Sequence, residues 1–362
     1  MNDQTISGTH RKASARAEAP PDTNSEPPHR VALIAGDRGG EFAQLLLRHG
    51  GPALAGHALE LVSDARELMS GRHDLVHALD SGQVALAAVE LAQMLGLPVA
   101  AGDVATRCTE ARVDSIAGDR SRRLYARSSL VLSPDEAADR SLLALGLPPE
   151  RIGRWERGVD LERFHPARFA AGALGANRFN ILYAGPLSRE HGTELLVESF
   201  LLAHDRDPRL HLVLAGSGAA QAALERRLGI AATFVGPLDA DKLARVYASA
   251  DLLLFASRTD AYGQAILEAQ ASGLPVLAVA GAATTLIEDG RSGCVVPAEA
   301  EALGCVIRSL TRRDAMRDRL ATGGLLAVRG RTWERSLQQL AAAYRAAVLA
   351  PRATQTGAVR AA

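Results

Sequence analysis

Residues 252–280 read LLLFASRTDAYGQAILEAQASGLPVLAVA, and this stretch decides the fold. The apolar run at 252–255 predicts a buried parallel strand, and a short polar turn follows it. Strong helix formers begin at Gly263, and Gly273, followed closely by a proline, predicts the end of that helix. A second apolar run, Val276–Ala280, predicts the next strand. The stretch is therefore one strand–loop–helix–strand unit of an α/β sheet.

One acidic residue interrupts the predicted helix. Its other residues are mostly alanine and aliphatic, so we expect a buried helix, yet Glu268 lies at its centre. A buried carboxylate needs a hydrogen-bonding partner, because burial without one is costly. A ligand diol would serve, and the helix start near Gly263 and Gln264 offers N–H groups and partial positive charge that suit a phosphate. Diol and phosphate together describe a nucleotide. The alternative is that Glu268 pairs with an arginine at an internal sheet edge, and spacing alone does not decide between the two.

The acidic residues of this stretch also follow a longer pattern. Asp260 and Glu268 are separated by seven residues, and Glu268 is followed by Ala-x-Ala-x-Gly-x-Pro-Val. This order resembles the acidic signature of family 4 (group 1) glycosyltransferases, retaining enzymes of the GT-B fold that usually have glutamate, not aspartate, at the first position. The resemblance implies that Glu268 holds the ribose of a nucleotide-sugar donor and that Asp260 lies beside the donor sugar as a catalytic residue. It also implies that the backbone of Tyr262, Gly263 and Gln264 binds the donor phosphates.

Composition narrows the class of protein. The chain has 362 residues, 47% of them hydrophobic, which is enough for two cores and suggests two domains. Lys+Arg and Asp+Glu number 41 each, so no global charge favours binding to nucleic acid. The 3 cysteines are scattered and predict neither a disulfide framework nor a zinc site. No apolar run is long enough for a membrane span or resembles a signal peptide, so we expect a cytoplasmic protein.

The first half of the chain alternates short apolar runs with helix-forming stretches. The predicted strands are Val31–Ala35, Ala58–Val62, Asp74–Ala78, Pro98–Ala101, Leu130–Ser133 and Arg154–Arg157. A glycine turn containing Gly39 and Gly40 follows the first strand, and glycine lets a backbone approach a phosphate closely. In the resembled family a glycine-rich loop here faces the donor phosphates; the alternative is a plain tight turn. The family also usually carries a histidine after the fourth of these strands, and Asp103, beside the aligned position, is the candidate catalytic substitute.

A second departure from the family lies after the strand predicted at Phe179–Gly185. The family usually has arginine at position 186 and lysine at position 191, which together clamp the donor diphosphate. Here Pro186 has neither charge nor N–H, and His191 is only partly cationic near neutral pH. Arg189 is the nearest replacement, so Arg189 and His191 are the candidate diphosphate-binding residues. The loss of a clamp that stabilises leaving-group charge argues against full activity.

Two further stretches complete the predicted organisation. Trp155–Pro166 resembles the interdomain link of the family, and Trp333–Val348 resembles the helix that packs back on the first domain. His77, at a strand end, is interpreted either as a structural residue or as an acid–base group. The chain then divides into a disordered tail (1–30), an N-terminal Rossmann-like acceptor domain (31–165), a C-terminal Rossmann-like nucleotide-sugar donor domain (166–332), a crossover helix (333–350) and a second disordered tail (351–362). The predicted fold is α/β, with two domains facing across a cleft.

These expectations describe a hexosyltransferase-type enzyme that moves a sugar from a nucleotide-sugar donor to a sugar or lipid acceptor with retention. The fold requires no metal or other cofactor, since the nucleotide sugar is a co-substrate. Peripheral membrane contact remains open. The alternative is a catalytically degenerate relative that binds a nucleotide sugar or a partner enzyme without turnover. A sugar-nucleotide epimerase on the same architecture is a third reading, which the pattern of Asp260 and Glu268 disfavours.

Overall fold

The computed structural model describes residues 29–35, 40–50, 54, 56–102, 116–175, 177–258, 260 and 263–350. Apart from His29 and Arg30, both predicted tails lie outside these residues. The described chain forms two six-stranded parallel sheets, and each has a hydrophobic core on both of its faces. Parallel strands buried on both faces read as continuous apolar runs, which explains why the sequence revealed them. The predicted α/β class with two Rossmann-like domains is confirmed.

The first sheet comes from the N-terminal half. Its strands are β1 (Arg30–Ile34), β2 (Ala58–Val62), β3 (Leu75–Ala78), β4 (Val99–Gly102), β5 (Leu130–Ser133) and β6 (Ile152–Arg154), in the order β2-β1-β3-β4-β5-β6. The described helices of this half are α1 (Gly40–His49), α2 (Gln83–Met94), α3 (Ile116–Arg127) and α4 (Glu136–Ala144). The strand predicted over Arg154–Arg157 was misplaced. It is the short edge strand β6, whose half-buried residues carry little strand signal.

The second sheet comes from the C-terminal half. Its strands are β7 (Phe179–Ala184), β8 (Leu210–Ala215), β9 (Ala232–Gly236), β10 (Leu252–Phe255), β11 (Val276–Val279) and β12 (Cys294–Val296), in the order β12-β11-β10-β7-β8-β9. The described helices are α5 (Thr193–His204), α6 (Gln221–Leu228), α7 (Ala240–Ser249), α8 (Gln264–Ala271), α9 (Ala300–Thr311) and α10 (Asp314–Val328). The opening unit is therefore β10–α8–β11, as predicted. Within the described residues, no helix combines the length and apolar character needed to cross a bilayer.

In each sheet the first strand lies in the interior, and later strands are added first on one side of it and then on the other. β1 pairs with β2 on one side and β3 on the other, and β7 pairs with β8 and β10 in the same way. Open α/β sheets bind ligands in the crevice outside the carboxyl ends of the strands at such switch points. The ends of β1 and β3, and of β7 and β10, are therefore where a site is expected.

The last helix, α11 (Trp333–Leu349), packs on the first sheet, as predicted. Two residues of this helix contact the first domain through hydroxyl groups. The Tyr344 hydroxyl lies 2.8 Å from Nδ1 of His77 on β3, and the Ser336 hydroxyl accepts a hydrogen bond from the indole N–H of Trp155 at 3.2 Å. Burial lowers the pKa of His77 to about 3, so its ring stays neutral. His77 is therefore a structural residue that ties α11 to the sheet, and its interpretation as an acid–base group is wrong.

The chain passes between the two halves near Val159 and again just before α11. The N–H of Val159 donates to the carbonyl of Arg331 at 2.8 Å, and Val159 pairs with Thr332 in a short parallel bridge. The two passages therefore lie side by side. Asp160 follows immediately and forms an ion pair with Arg163 at 3.0 Å. This places the stretch that resembles an interdomain link where the two halves join.

Candidate functional site

The carboxyl ends of β7 and β10 enclose a small cavity at the switch point of the second sheet. Its volume is about 20 Å³, which is room for about one water molecule. The cavity is lined by Tyr183, Ala184, Gly185, Pro186, His191, residues 253–257 and Asp260. Three of these residues, Tyr183, His191 and Asp260, have titratable side chains. Two residues singled out in different parts of the sequence, His191 and Asp260, therefore converge on one place.

Glu268 lies in the second turn of α8 and is half-buried. One of its oxygens, Oε1, accepts a long hydrogen bond of 3.4 Å from the Gln264 side chain. The pKa of Glu268 is raised to about 7, mainly by burial and also by the charge of Asp160, while hydrogen bonding with Tyr247 and Gln264 acts in the opposite direction. Within the described residues, no arginine or lysine contributes to this shift. The alternative in which an arginine neutralises Glu268 therefore has no support.

A tyrosine that the sequence pattern does not single out lies beside this carboxylate. Tyr247 on α7 is 1% exposed, and among the described residues its hydroxyl has no partner in good hydrogen-bond geometry. Burial, and then the charges of Glu268 and Asp260, raise the pKa of Tyr247 well above its usual value. The phenol thus stays protonated and can donate a hydrogen bond next to Glu268. In the sequence it is only a tyrosine on the apolar side of an amphipathic helix, a pattern typical of core residues.

Asp260 holds the loop that leads into α8. Its carboxylate accepts a hydrogen bond from the N–H of Gly263 at 3.1 Å, and its own N–H donates to the Ser257 hydroxyl at 3.0 Å. One of the N–H groups predicted to bind phosphate is therefore occupied by Asp260. The N–H groups of Gln264 and Ala265 belong to the first turn of a helix and have no acceptor within it. They remain suited to an anion.

The turn after β7 is fixed by several hydrogen bonds. The Tyr183 hydroxyl donates to the carbonyl of Pro186 at 2.7 Å, and the Thr193 hydroxyl donates to the carbonyl of Ser188 at 3.0 Å. The Ser188 hydroxyl and Nδ1 of His191 lie 2.8 Å apart. His191 is half-buried and forms part of the cavity wall, whereas Arg189 is exposed on the same turn and does not line the cavity. His191 is thus better placed than Arg189 to meet a ligand at the switch point.

Gly192 closes this turn, and we predict that Gly192→Ala destabilises the protein strongly. Its φ is +77°, and an added Cβ would lie 2.2 Å from the carbonyl oxygen of Ala256. The left-handed backbone alone costs an alanine about 1–2 kcal/mol, and the collision adds about 1–3 kcal/mol more. Urea unfolding measures the change. Gly290→Ala is the matched control, because Gly290 has φ +73° but open space around it. Equal losses in both variants would contradict the prediction.

The predicted site residues are distributed as follows. Asp260 and Glu268 both lie near Tyr247, since the charges of both raise the pKa of its hydroxyl. His191, Gly263 and Gln264 are at the same switch point, next to the cavity or at the start of α8. Gly40 begins α1 at the switch point of the first sheet. Gly39, Asp103 and Tyr262 lie outside the described residues.

Comparisons with known proteins agree with this architecture. Residues 178–313 match the family model described as "Glycosyl transferases group 1". The chain is 33% identical over 254 residues to D-inositol 3-phosphate glycosyltransferase 1 of Catenulispora acidiphila, covering 64% of this chain and 60% of that protein. It is 28% identical over 243 residues to sulfoquinovosyl transferase SQD2 of Arabidopsis thaliana, covering 63% and 47%. The chain thus spans about half the length of the curated relatives that it matches.

Solved structures extend the likeness to both domains. Anabaena HepE in complex with UDP and glucose superposes with a TM-score of 0.69 at 18% identity, over 88% of this chain and 99% of that chain. Sucrose-phosphate synthase from Thermosynechococcus elongatus superposes with a TM-score of 0.72 at 19% identity, over 88% and 98%. At these identities the likeness establishes the fold. The protein has the two-domain GT-B fold, and residues 178–313 of its second half are similar to the group 1 glycosyl transferases.

Proposed function

We propose that the protein is a retaining glycosyltransferase of family 4 that moves a hexose from a nucleotide-sugar donor to a sugar or lipid acceptor. The family match over residues 178–313 supports transfer of a glycosyl group. Support for a nucleotide-sugar donor comes from Anabaena HepE, which binds UDP and UDP-glucose on the same fold. The acceptor would bind between the donor and the first sheet.

The observation that carries the proposal is the environment of Glu268. Its half-buried carboxylate has Tyr247 and Gln264 as neighbours and no cation among the described groups that shift its pKa. Such a carboxylate retains hydrogen-bonding capacity that the surrounding protein leaves unused. Two adjacent hydroxyl groups of a ribose would supply the missing donors and offset the cost of burial. Burial within a structural ion pair, the rival explanation, would require a cation next to Glu268.

The remaining residues receive roles from their positions. The first two N–H groups of α8, at Gln264 and Ala265, would bind the donor phosphates, with Gly263 allowing the loop to enter the helix. Asp260 would meet the donor sugar from the loop that leads into α8, where it lines the cavity. From the resemblance to family 4 alone, Gly39 and Gly40 would face the phosphates from the first domain, and Tyr262 and Asp103 would complete the donor pocket and the catalytic group. Closure of the two domains would exclude water from the reaction.

We expect the protein to be stabilised by a nucleotide sugar and to consume it. The panel is UDP-glucose, UDP-N-acetylglucosamine, ADP-glucose and GDP-mannose. A ligand at 100 times its dissociation constant adds about 2.7 kcal/mol to the free energy of unfolding, which is roughly 4 °C in Tm for a chain of 362 residues. Nuclear magnetic resonance of the product identifies the anomeric configuration. A chain that is stabilised by none of the four and leaves each donor intact contradicts the proposal, and a product of inverted configuration contradicts retention.

A further inference from the structure

Tyr247 places a buried hydroxyl beside the carboxylate to which the proposed function assigns the ribose. It lies on α7, which packs against α8, and its ring belongs to the same apolar cluster as Ile266 and Leu267, the two residues before Glu268. The side chain is only 1% exposed, which leaves almost no surface for a ligand to touch. Any effect of this hydroxyl on a ligand must therefore pass through Glu268.

The ring of Tyr247 is held by an aromatic contact with the connection between the two halves of the chain. The buried ring of Phe164 meets it edge to face, with ring centroids 5.7 Å apart and an angle of 82° between the planes. Phe164 is fixed in turn, because its N–H donates to the carbonyl of Asp160 at 2.8 Å. A side chain locked by packing in this way holds its polar atom in one place. The hydroxyl thus approaches Glu268 from a fixed direction.

The carboxylate of Glu268 can serve both the protein and a diol. An ionised carboxylate offers about four acceptor positions. The Gln264 side chain uses one through its 3.4 Å bond, and the Tyr247 hydroxyl, which also acts on Glu268 through a hydrogen bond, uses a second. The Tyr247 contact falls outside good hydrogen-bond geometry, and contacts of this kind often tighten when a ligand binds. Two positions remain, which matches the two adjacent hydroxyl groups of a ribose.

We propose that Tyr247 is a positioning residue whose hydroxyl orients the carboxylate of Glu268 towards the two hydroxyl groups of the donor ribose. The proposal rests on the proposed function, because it takes the ligand to be a nucleotide sugar. The hydroxyl also stabilises the ionised form of Glu268, since a donor beside a carboxylate favours its charged form. Removal of the hydroxyl should therefore have two effects: it should raise the pKa of Glu268 further, and it should weaken the contact with the diol.

The first measurement needs no ligand. Tyr247→Phe keeps the packed ring and removes only the hydroxyl. The folded-state pKa of Glu268 is raised to about 7, so its contribution to the free energy of unfolding should fall with rising pH and level off above that value. In Tyr247→Phe the fall should continue to a higher pH, because the carboxylate has lost a donor. Urea unfolding from about pH 5 to about pH 9 follows this change.

The other charged groups near the carboxylate stay in place in this variant. They are Asp160, which forms an ion pair with Arg163 at 3.0 Å, and Asp260. A difference between the two pH profiles therefore reports the hydroxyl. Tyr344→Phe is the matched control, because Tyr344 is also a fully buried tyrosine whose hydroxyl meets a side chain, but in the first domain. It should lose stability and still level off with the wild type above about pH 7.

The second measurement is calorimetric titration of UDP-glucose, or of the panel member with the largest thermal shift, and of its deoxyribose analogue. At alkaline pH, Tyr247→Phe should bind the ribose donor about tenfold more weakly than the wild type, as expected from loss of a hydrogen bond to a charged group. The analogue lacks one of the two hydroxyl groups, so the wild type should prefer the ribose donor, and Tyr247→Phe should lose most of this preference. In a Glu268→Gln background, Tyr247→Phe should change the affinity less than about threefold, because the group through which it acts is already gone.

The outcomes separate this inference from the proposed function. A pH profile of Tyr247→Phe that matches the wild type means that the hydroxyl does not act on Glu268, and it overturns the inference while the transferase stands. A shifted profile with unchanged donor affinity and unchanged preference for ribose also overturns it, because Tyr247 then supports the fold alone. Binding of none of the panel overturns the proposed function and the inference together. A shifted profile, with a preference for ribose that is lost in Tyr247→Phe but kept in Tyr344→Phe, supports the inference.

Discussion

Glu268→Gln is expected to make the protein more stable at alkaline pH while it weakens donor binding. The folded-state pKa of Glu268 is raised to about 7, above the value of 4.5 for an unperturbed glutamate. Between these values the native state holds a proton that the unfolded state has lost, so the free energy of unfolding of the wild type falls as the pH rises. Above the folded-state pKa, the full cost of keeping an ionised carboxylate buried remains. A glutamine carries no charge and avoids that penalty.

The expected gain in the free energy of unfolding at about pH 8.5 is roughly 1–3 kcal/mol. The lower part of this range reflects the fact that the side chain is half-buried and keeps some contact with water. At about pH 3, well below both pKa values, both states bind the proton and the gain should vanish. Urea unfolding at the two pH values measures it. Donor affinity should fall about 100-fold, because an ionised acceptor of two hydroxyl groups is lost.

Glu198→Gln is the matched control, since Glu198 is an exposed glutamate in the middle of α5. It should leave both stability and donor affinity unchanged. If Glu268→Gln is destabilised at alkaline pH, Glu268 has a stabilising partner and our account of its environment is wrong. If donor affinity stays unchanged in Glu268→Gln, the carboxylate does not bind the donor.

The second large effect is expected at the crossover helix. Trp333 is 7% exposed and stacks on His49, with ring centroids 4.6 Å apart and an angle of 7° between the planes. Trp333→Ala should lower the free energy of unfolding by about 3–5 kcal/mol, because it removes a large buried aromatic side chain. That is a substantial part of the stability of a typical protein. The loss should appear first in the first domain, since α11 covers that sheet.

Tyr344→Phe tests the polar part of the same contact. It removes only the hydroxyl that meets His77 and should cost about 1–3 kcal/mol, since a buried polar group loses its partner. The chain has only 2 tryptophans, Trp155 and Trp333, and both lie in this interface, so their fluorescence in urea reports its loss directly. Leu349→Ala is the control, because Leu349 is 81% exposed. A loss in Trp333→Ala no larger than in this control would contradict the packing role.

The sequence predicted most strands of both sheets. These strands are apolar runs covered on both faces, so residues such as Leu252–Phe255 are recognisable without knowing their partners. Helix α10 was not predicted, because Gly323 and Gly324 lie within it and glycine disfavours a helix interior by about 1 kcal/mol. The structure shows why they occur there. A Cβ on Gly323 would lie 2.0 Å from the carbonyl oxygen of Arg291, so tertiary packing overrides the local preference.

Residues of the candidate site also differ in whether a local signal or only the tertiary packing identifies them. Glu268 was detectable because its immediate neighbours are apolar, which is a local signal. Tyr247 was not, because only the packing of α7 against α8 brings its hydroxyl beside the carboxylate. Ser188 and His191 are three residues apart, but the sequence does not show that His191 lines a cavity at the ends of two strands. Local chemistry could be predicted, whereas contacts between elements distant in the sequence required the fold.

The position of α11 also has a consequence for biosynthesis. The ribosome completes the first sheet long before it makes the helix that covers one of its faces. At about 5–20 residues per second, that apolar face waits roughly 10–40 s for its cover. During translation this apolar face therefore stays without the cover that it has in the finished protein. The N-terminal half reaches its final form only after the C-terminal half has been synthesised.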